Sequence, residues 1–276
     1  MKRVVLVFAV VLFSSGLFSQ KNEFGFLIGG TYYVGDLNPY KQYSGTHLGG
    51  GLLYRKNLNS RMTLRLSANY GSISGADSLN DLEIYSNRNL HFKSKIFELG
   101  GIFELNFFNY KPGDIKKDRY TPYLFAGLTY FYMNPMAQLG DDWYDLQSLG
   151  TEGQGSPLNS KDHYKLNQIS MPLGIGYKAN LTKRICISFE YGLRKTFTDY
   201  LDDVSGYYVN NADLREENGV IAAYFSDRSI KQEGINGTNE GSLRGNPGNK
   251  DWYSFSGVII SFVLGKETGC YEFKKR

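Results

Sequence analysis

A repeated alternation of apolar and polar residues constrains this chain most, over about eight stretches of roughly ten residues each. The clearest runs from Met62 to Ser74: Met62, Leu64, Leu66, Ala68 and Tyr70 share one parity, Thr63, Arg65, Ser67, Asn69 and Gly71 the other. A period of two sets these groups on opposite faces of a strand. The same reading predicts strands at 23–33, 47–54, 95–107, 122–132, 168–179, 184–194 and 252–264. In the stretch 168–179, Ile169, Met171, Leu173, Ile175 and Tyr177 oppose Ser170, Gly174, Gly176 and Lys178. The stretch 122–132 is aromatic on both parities, so its facing stays open. Pro172 removes a ladder donor, and a bulge is expected there.

The connections alternate in length. Those at 55–61, 109–119 and 180–183 are short, and those at 34–46, 75–94, 133–167 and 195–251 are long. Sharp facing with alternating turn lengths is what an eight-stranded antiparallel transmembrane β-barrel of the OmpA/OmpX-like kind requires. The short turns are then periplasmic and the long loops extracellular, and an even strand number places both mature termini in the periplasm. The last loop is long enough to hold local structure or fold over the mouth.

Composition fits that reading. A chain with 41% hydrophobic residues and a mean hydropathy of -0.37 still spans a membrane as a barrel, because its lumen and loops are polar. Its 22 Tyr, 18 Phe and 32 Gly suit aromatic girdles and close strand packing. Lys2 and Arg3, the apolar run Val4 to Phe13 and the small residues Ser14, Ser15, Gly16 and Ser19 predict a signal peptide over 1–20. Residues 21–265 then form the outer-membrane barrel, and 266–276, with Lys266, Lys274, Lys275 and Arg276, a short periplasmic tail. The formal charge of +4 is too small to imply nucleic-acid binding. Cys186 falls on a lumen-facing position and Cys270 in the tail, so they are not expected to pair.

The polar parity directs Arg65, Lys178 and Arg194 into the lumen with Glu98, Glu104 and Glu190. Buried charges must pair, so a self-satisfied network is expected. An eight-stranded barrel is just wide enough for its own side chains to fill it. His91 near Ser94 and His163 beside Asp162 offer fragments of a hydrolytic site, yet no motif joins them to a nucleophile. They read as solvated loop histidines, and no catalytic residue, cofactor site, metal site or small-molecule substrate is assigned. Two acidic clusters, Asp141, Asp142 and Asp145, and Asp199, Asp202 and Asp203, lack EF-hand spacing and read as solvated loops.

Three non-periodic stretches add a resemblance. Tyr32-Tyr33-Val34-Gly35-Asp36-Leu37-Asn38-Pro39 closes the first strand, and Phe197-Thr198-Asp199-Tyr200-Leu201-Asp202-Asp203-Val204-Ser205 follows the seventh. Arg244-Gly245-Asn246-Pro247 precedes Asp251-Trp252-Tyr253. In this order they resemble the PorG family, small outer-membrane barrels of the type IX secretion system of Bacteroidota. The resemblance implies a non-enzymatic component of a protein-export machine linked to gliding motility. Its implied partners are the lipoprotein PorK and PorN, which build a periplasmic ring, together with outer-membrane lipid. Gly35, Asp36, Asn38, Pro39, Asp199, Tyr200, Asp202 and Asp203 are the loop residues the motifs mark. Of these, Gly35 to Pro39 suit a shaped turn, while 200–205 read as a structured outer loop or a partner surface. The alternative function is a generic small barrel acting as a structural protein or surface adhesin.

Overall fold

In the computed structural model, residues 21–41, 43–232 and 237–265 are described. The expected signal peptide 1–20, the tail 266–276 and Cys270 lie outside the described residues. The strands are β1 (Asn22–Val34), β2 (His47–Asn57), β3 (Met62–Ala76), β4 (His91–Asn106), β5 (Tyr120–Leu139), β6 (Asp142–Asp145), β7 (Asn167–Asn180), β8 (Ile185–Thr196) and β9 (Trp252–Leu264). Pairing runs β4-β3-β2-β1-β9-β8-β7-β5, all antiparallel, and β4 pairs with β5 to close the ring. The fold is an eight-stranded antiparallel transmembrane β-barrel. Short β6 lies outside the ring and pairs with the far end of β5, from Met136↔Asp145 to Leu139↔Asp142.

Facing follows the alternation. Leu66, Ile175 and Phe189 point outward with 54%, 57% and 55% exposure, an apolar band of the kind a barrel turns to lipid. Arg65, Lys178 and Ser188 point inward and are buried. The open facing of β5 resolves the same way: Tyr123, Phe125 and Phe131 turn inward, Leu124, Leu128 and Tyr130 outward. Among the described residues, no helix is long and apolar enough to cross a membrane. Closure leaves every wall strand paired on both sides, which hydrocarbon demands.

The bulge expected at Pro172 is absent. On β8 the register runs unbroken through Met171↔Lys195, Pro172↔Arg194 and Leu173↔Leu193. On β5 it resumes at Thr129↔Ser170 in the register it held at Ala126↔Leu173, with only the pairs around the proline missing. The missing donor interrupts the ladder without inserting a residue, because flanking pairs on both sides hold the strand.

The long-loop end carries the apolar core. Tyr33, Leu37, Ile73, Phe92, Phe131, Met133, Leu201, Val204 and Phe225 form one buried cluster where wall and loops meet. The last loop holds two short helices, α1 (Asn211–Glu217) and α2 (Val220–Ser226). Asn210 starts α1 by accepting from the Ala212 and Asp213 amides. The loops thus fold into a cap over one mouth.

Candidate functional site

Two buried polar assemblies organise the molecule, one in the lumen and one in the cap. The lumen assembly centres on Glu104 of β4. Its Oε1 accepts from Arg55 Nε at 2.9 Å and lies 3.2 Å from Arg65 Nη1, while Oε2 accepts from Lys178 Nζ at 2.8 Å. Arg65 also donates to both oxygens of Glu190, and the Tyr123 hydroxyl donates to Glu190 Oε2 at 2.9 Å. A step toward the cap, Arg194 Nη2 donates to Glu98 Oε1 at 3.0 Å, and Tyr253 and Asn69 donate to the same carboxylate. All six charges expected in the lumen are inside it.

Two members escaped the sequence reading. The alternation ends the second strand at Tyr54 and leaves Arg55 in a turn, whereas β2 continues to Asn57. Glu23, at the start of β1, lies 3.7 Å from Arg55 Nη1 and accepts from Asn57 Nδ2 and Ser261 Oγ. With them, Arg55, Arg65, Lys178 and Arg194 balance Glu23, Glu98, Glu104 and Glu190. Aromatic rings fill the gaps: Lys178 Nζ sits 5.0 Å from the Tyr110 ring centroid and 4.8 Å from that of Tyr123. Neutralised charge, ring packing and full burial make this stretch of lumen a solid core.

The cap assembly draws on all three motif stretches. Tyr33, at the end of β1, donates to Asp202 Oδ2 at 2.5 Å and to Asp251 Oδ1 at 3.1 Å. Asp251 Oδ2 accepts from the Leu201 amide, and Asp202 Oδ1 from the Val204 amide. A Cβ on Gly35 would stand 2.0 Å from Asp251 Oδ1, so only glycine lets the chain pass this close. Asp36 Oδ2 accepts from the Asn246 amide at 2.8 Å, joining the first motif to the third. Asn38 closes the turn through its side chain on the Tyr33 carbonyl and its amide on that of Gly35.

Two arginines bind these segments together. Arg244 donates to Glu152 Oε1 at 3.1 Å and to the carbonyls of Asp203, Phe225 and Ser226. Arg88 reaches the carbonyls of Asp36 and Arg244 and forms an ion pair with Asp77 at 2.7 Å. Asp203, at φ +68°, accepts from Thr151 and Tyr164, and the Tyr164 ring stacks on Tyr200 at 4.7 Å.

Burial governs the electrostatics here. It lifts Asp202 and Asp251 well above the usual carboxylate range, helped by neighbouring carboxylates. It pushes Asp199 up to about 6, and Asp203 up to about 6 despite Arg244 nearby. The cluster at 199–203 is therefore not the solvated loop expected: Asp199, Asp202 and Asp203 are all buried. Leu201, Val204 and Ser205 are buried with them, which makes 201–205 part of the cap interior. Asp141, Asp142 and Asp145 lie exposed at the β6 hairpin. Pro39 lines a rim cleft with Asp36 and Asp199.

No catalytic constellation forms around the candidate histidines. His91 accepts from the Gln138 amide and meets Arg228, and His163 Nδ1 contacts the Gln147 carbonyl. Ser94 instead serves the Asn134 amide. His47, unmarked in the sequence, meets Ser74 Oγ at 2.8 Å and ties β2 to β3 at the rim. Among the described residues, no group of three or more His, Cys, Asp or Glu is arranged to hold a metal ion. Cys186 is buried and free, with its thiol on Asn180 Oδ1.

A family model described as "Domain of unknown function (DUF6089)" matches residues 2–223. No curated protein matches the sequence. Among solved structures, the N-terminal β-barrel domain of Pseudomonas aeruginosa OprF is 13% identical, with 89% of this chain and 100% of that chain covered at a TM-score of 0.37. Ail, the attachment invasion locus protein of Yersinia pestis, is 7% identical, with 89% and 99% covered and a TM-score of 0.39. Neisserial surface protein A is 10% identical, with 89% and 98% covered and a TM-score of 0.40.

Proposed function

This chain belongs to the DUF6089 family, and we propose that it is a non-enzymatic outer-membrane component of the type IX secretion machinery. In this reading it anchors or stabilises the periplasmic ring of PorK and PorN at the outer membrane of a Bacteroidota-type cell. Both ends of the barrel wall, Asn22 and Leu264, lie at the short-turn end, which is then the periplasmic one.

One observation carries the reading. The three stretches that resemble the PorG family are far apart in sequence yet share one buried cluster: Tyr33 on Asp202 and Asp251, Asp36 on Asn246, and Arg244 on Asp203. Residues that interlock in this way form a structural signature, a stronger ground for resemblance than separate short matches. The filled lumen supports an anchoring role over conduction. The cap leaves the opposite, periplasmic end as the face turned toward a ring.

The test is a strain lacking this chain, examined for cargo export and for the ring. Loss of export with a detached or destabilised ring is the expected result. Normal export with the ring in place would refute the reading and leave the generic structural or adhesin barrel. Affinity capture after detergent extraction should recover PorK and PorN.

A further inference from the structure

The short-turn end is shaped by the turn 107–119 between β4 and β5, which folds across the mouth. Asn180 of β7 pins it: its Oδ1 accepts from the Tyr110 hydroxyl at 2.9 Å and the Gly113 amide at 3.1 Å, and its Nδ2 donates to the carbonyls of Lys111 and Asp114. Tyr110 is buried beneath the turn, against Lys178. A Cβ on Gly113 would lie 2.5 Å from the Lys183 carbonyl and 3.5 Å from Lys21 Nζ, so the turn reaches the β7–β8 connection and the start of β1. Its conformation is fixed before any partner arrives.

This lidded mouth is strongly basic. Arg61, Lys116, Lys117, Arg119 and Arg184 are exposed around and upon it. Among the described residues, the two carboxylates of the turn are already engaged. Asp118 pairs with Lys111 at 3.3 Å, and Asp114 Oδ1 accepts the Lys116 and Lys117 amides. The cap end has the opposite sign: its 140–166 loop alone sets Asp141, Asp142, Asp145, Glu152 and Asp162 against Lys161 and Lys165.

We propose that this basic face docks an acidic surface of a folded periplasmic protein. The inference deepens the anchoring function above and rests on it, naming the surface and the chemistry of its partner. Position decides between a protein and a lipid. Headgroups surround the barrel wall, whereas Gly113 and its turn lie over the lumen, where no lipid leaflet extends. A rigid patch with an excess of positive charge steers and orients a complementary partner.

The test uses the full-length tagged protein, extracted from its own membrane in mild detergent, with recovery of PorK and PorN as readout. The variant Lys116→Glu/Lys117→Glu/Arg184→Glu is compared with Lys161→Glu/Lys165→Glu on the outer loop, and heat-modifiable mobility reports folding. The inner variant should recover the ring proteins about tenfold less well than wild type, the outer variant equally well. Wild-type recovery should fall as salt rises from about 0.1 to about 0.5 M. If charge reversal prevents assembly, Lys116→Gln/Lys117→Gln/Arg184→Gln should give an intermediate loss. A folded inner variant that recovers the ring as wild type does overturns this inference and leaves the anchoring reading standing. Failure of wild type to recover the ring overturns both. Retained ring recovery with lost binding to phosphatidylglycerol-containing vesicles would mark the face as a lipid contact and overturn the proposal.

Discussion

Arg244 and Glu152 meet at 3.1 Å across 92 positions of sequence, both buried where the last two long loops cross. The guanidinium also holds three backbone carbonyls, from Asp203, Phe225 and Ser226, so one side chain fixes the path of both loops. Arg244→Ala leaves Glu152 as an uncompensated buried charge, a loss of roughly 3–5 kcal/mol confined to the cap. Limited proteolysis of the detergent-solubilised barrel should then cut within 197–251 while the wall stays resistant. Cleavage no faster than in wild type would show that the cap does not depend on this pair.

Glu104 receives three cations, and its removal should disturb the barrel itself. Glu104→Ala leaves Lys178 without a carboxylate and reduces Arg55 and Arg65 to Glu23 and Glu190 alone, and should cost roughly 3–5 kcal/mol, read as a lower urea midpoint in detergent. A double replacement of Arg65 and Glu190 by methionine removes charge from both partners and should cost much less than either single change. A double loss equal to the sum of the two single losses would count against a coupled network.

The cap should be more stable in mild acid. Asp203, buried, titrates at about 6 in the folded cap against about 3.9 unfolded. Between those values the folded state binds more protons than the unfolded state. This contribution is therefore complete below about pH 4 and is lost as pH rises through about 6, a change of about 3 kcal/mol for a two-unit shift. Asp199 moves in the same direction. Proteolysis of the cap, corrected for protease activity, should be slower at pH 5 than at pH 7.5, and Asp203→Asn should flatten the difference. Slower cleavage at the higher pH would contradict the assignment.

At the other mouth, Gly113→Ala should loosen the inner turn. The residue sits at φ +81°, and its added methyl meets the Lys183 carbonyl, a conflict worth roughly 1–3 kcal/mol. Faster amide exchange across 110–117 with an unchanged wall is the expected result. Protection equal to wild type would show that the turn accommodates a side chain.

The wall was legible because lipid and lumen impose a strict alternation, so Met62 to Tyr70 declares its own facing. Boundaries were less so: β5 runs on to Leu139 through Pro135 because β6 pairs with it, and β2 runs on through Arg55. Pro172 misled because the rule that proline marks a bulge assumes a strand free to bend, and both neighbours hold this one. The cap was almost invisible in physical terms. Tyr33 finds Asp202, and Asp36 finds Asn246, through contacts with no periodicity to betray them. Only the motif resemblance singled those stretches out, and it could not say that they touch.

The seam between β1 and β9 joins Asn22 to Leu264 and Val34 to Trp252. The first segment of wall to be synthesised therefore waits for the last before its outer edge is satisfied. Until then an open ribbon would expose bare amides and carbonyls to hydrocarbon. Sealing of the wall must thus follow completion of the polypeptide, since its final strand supplies the partner that the opening one lacks.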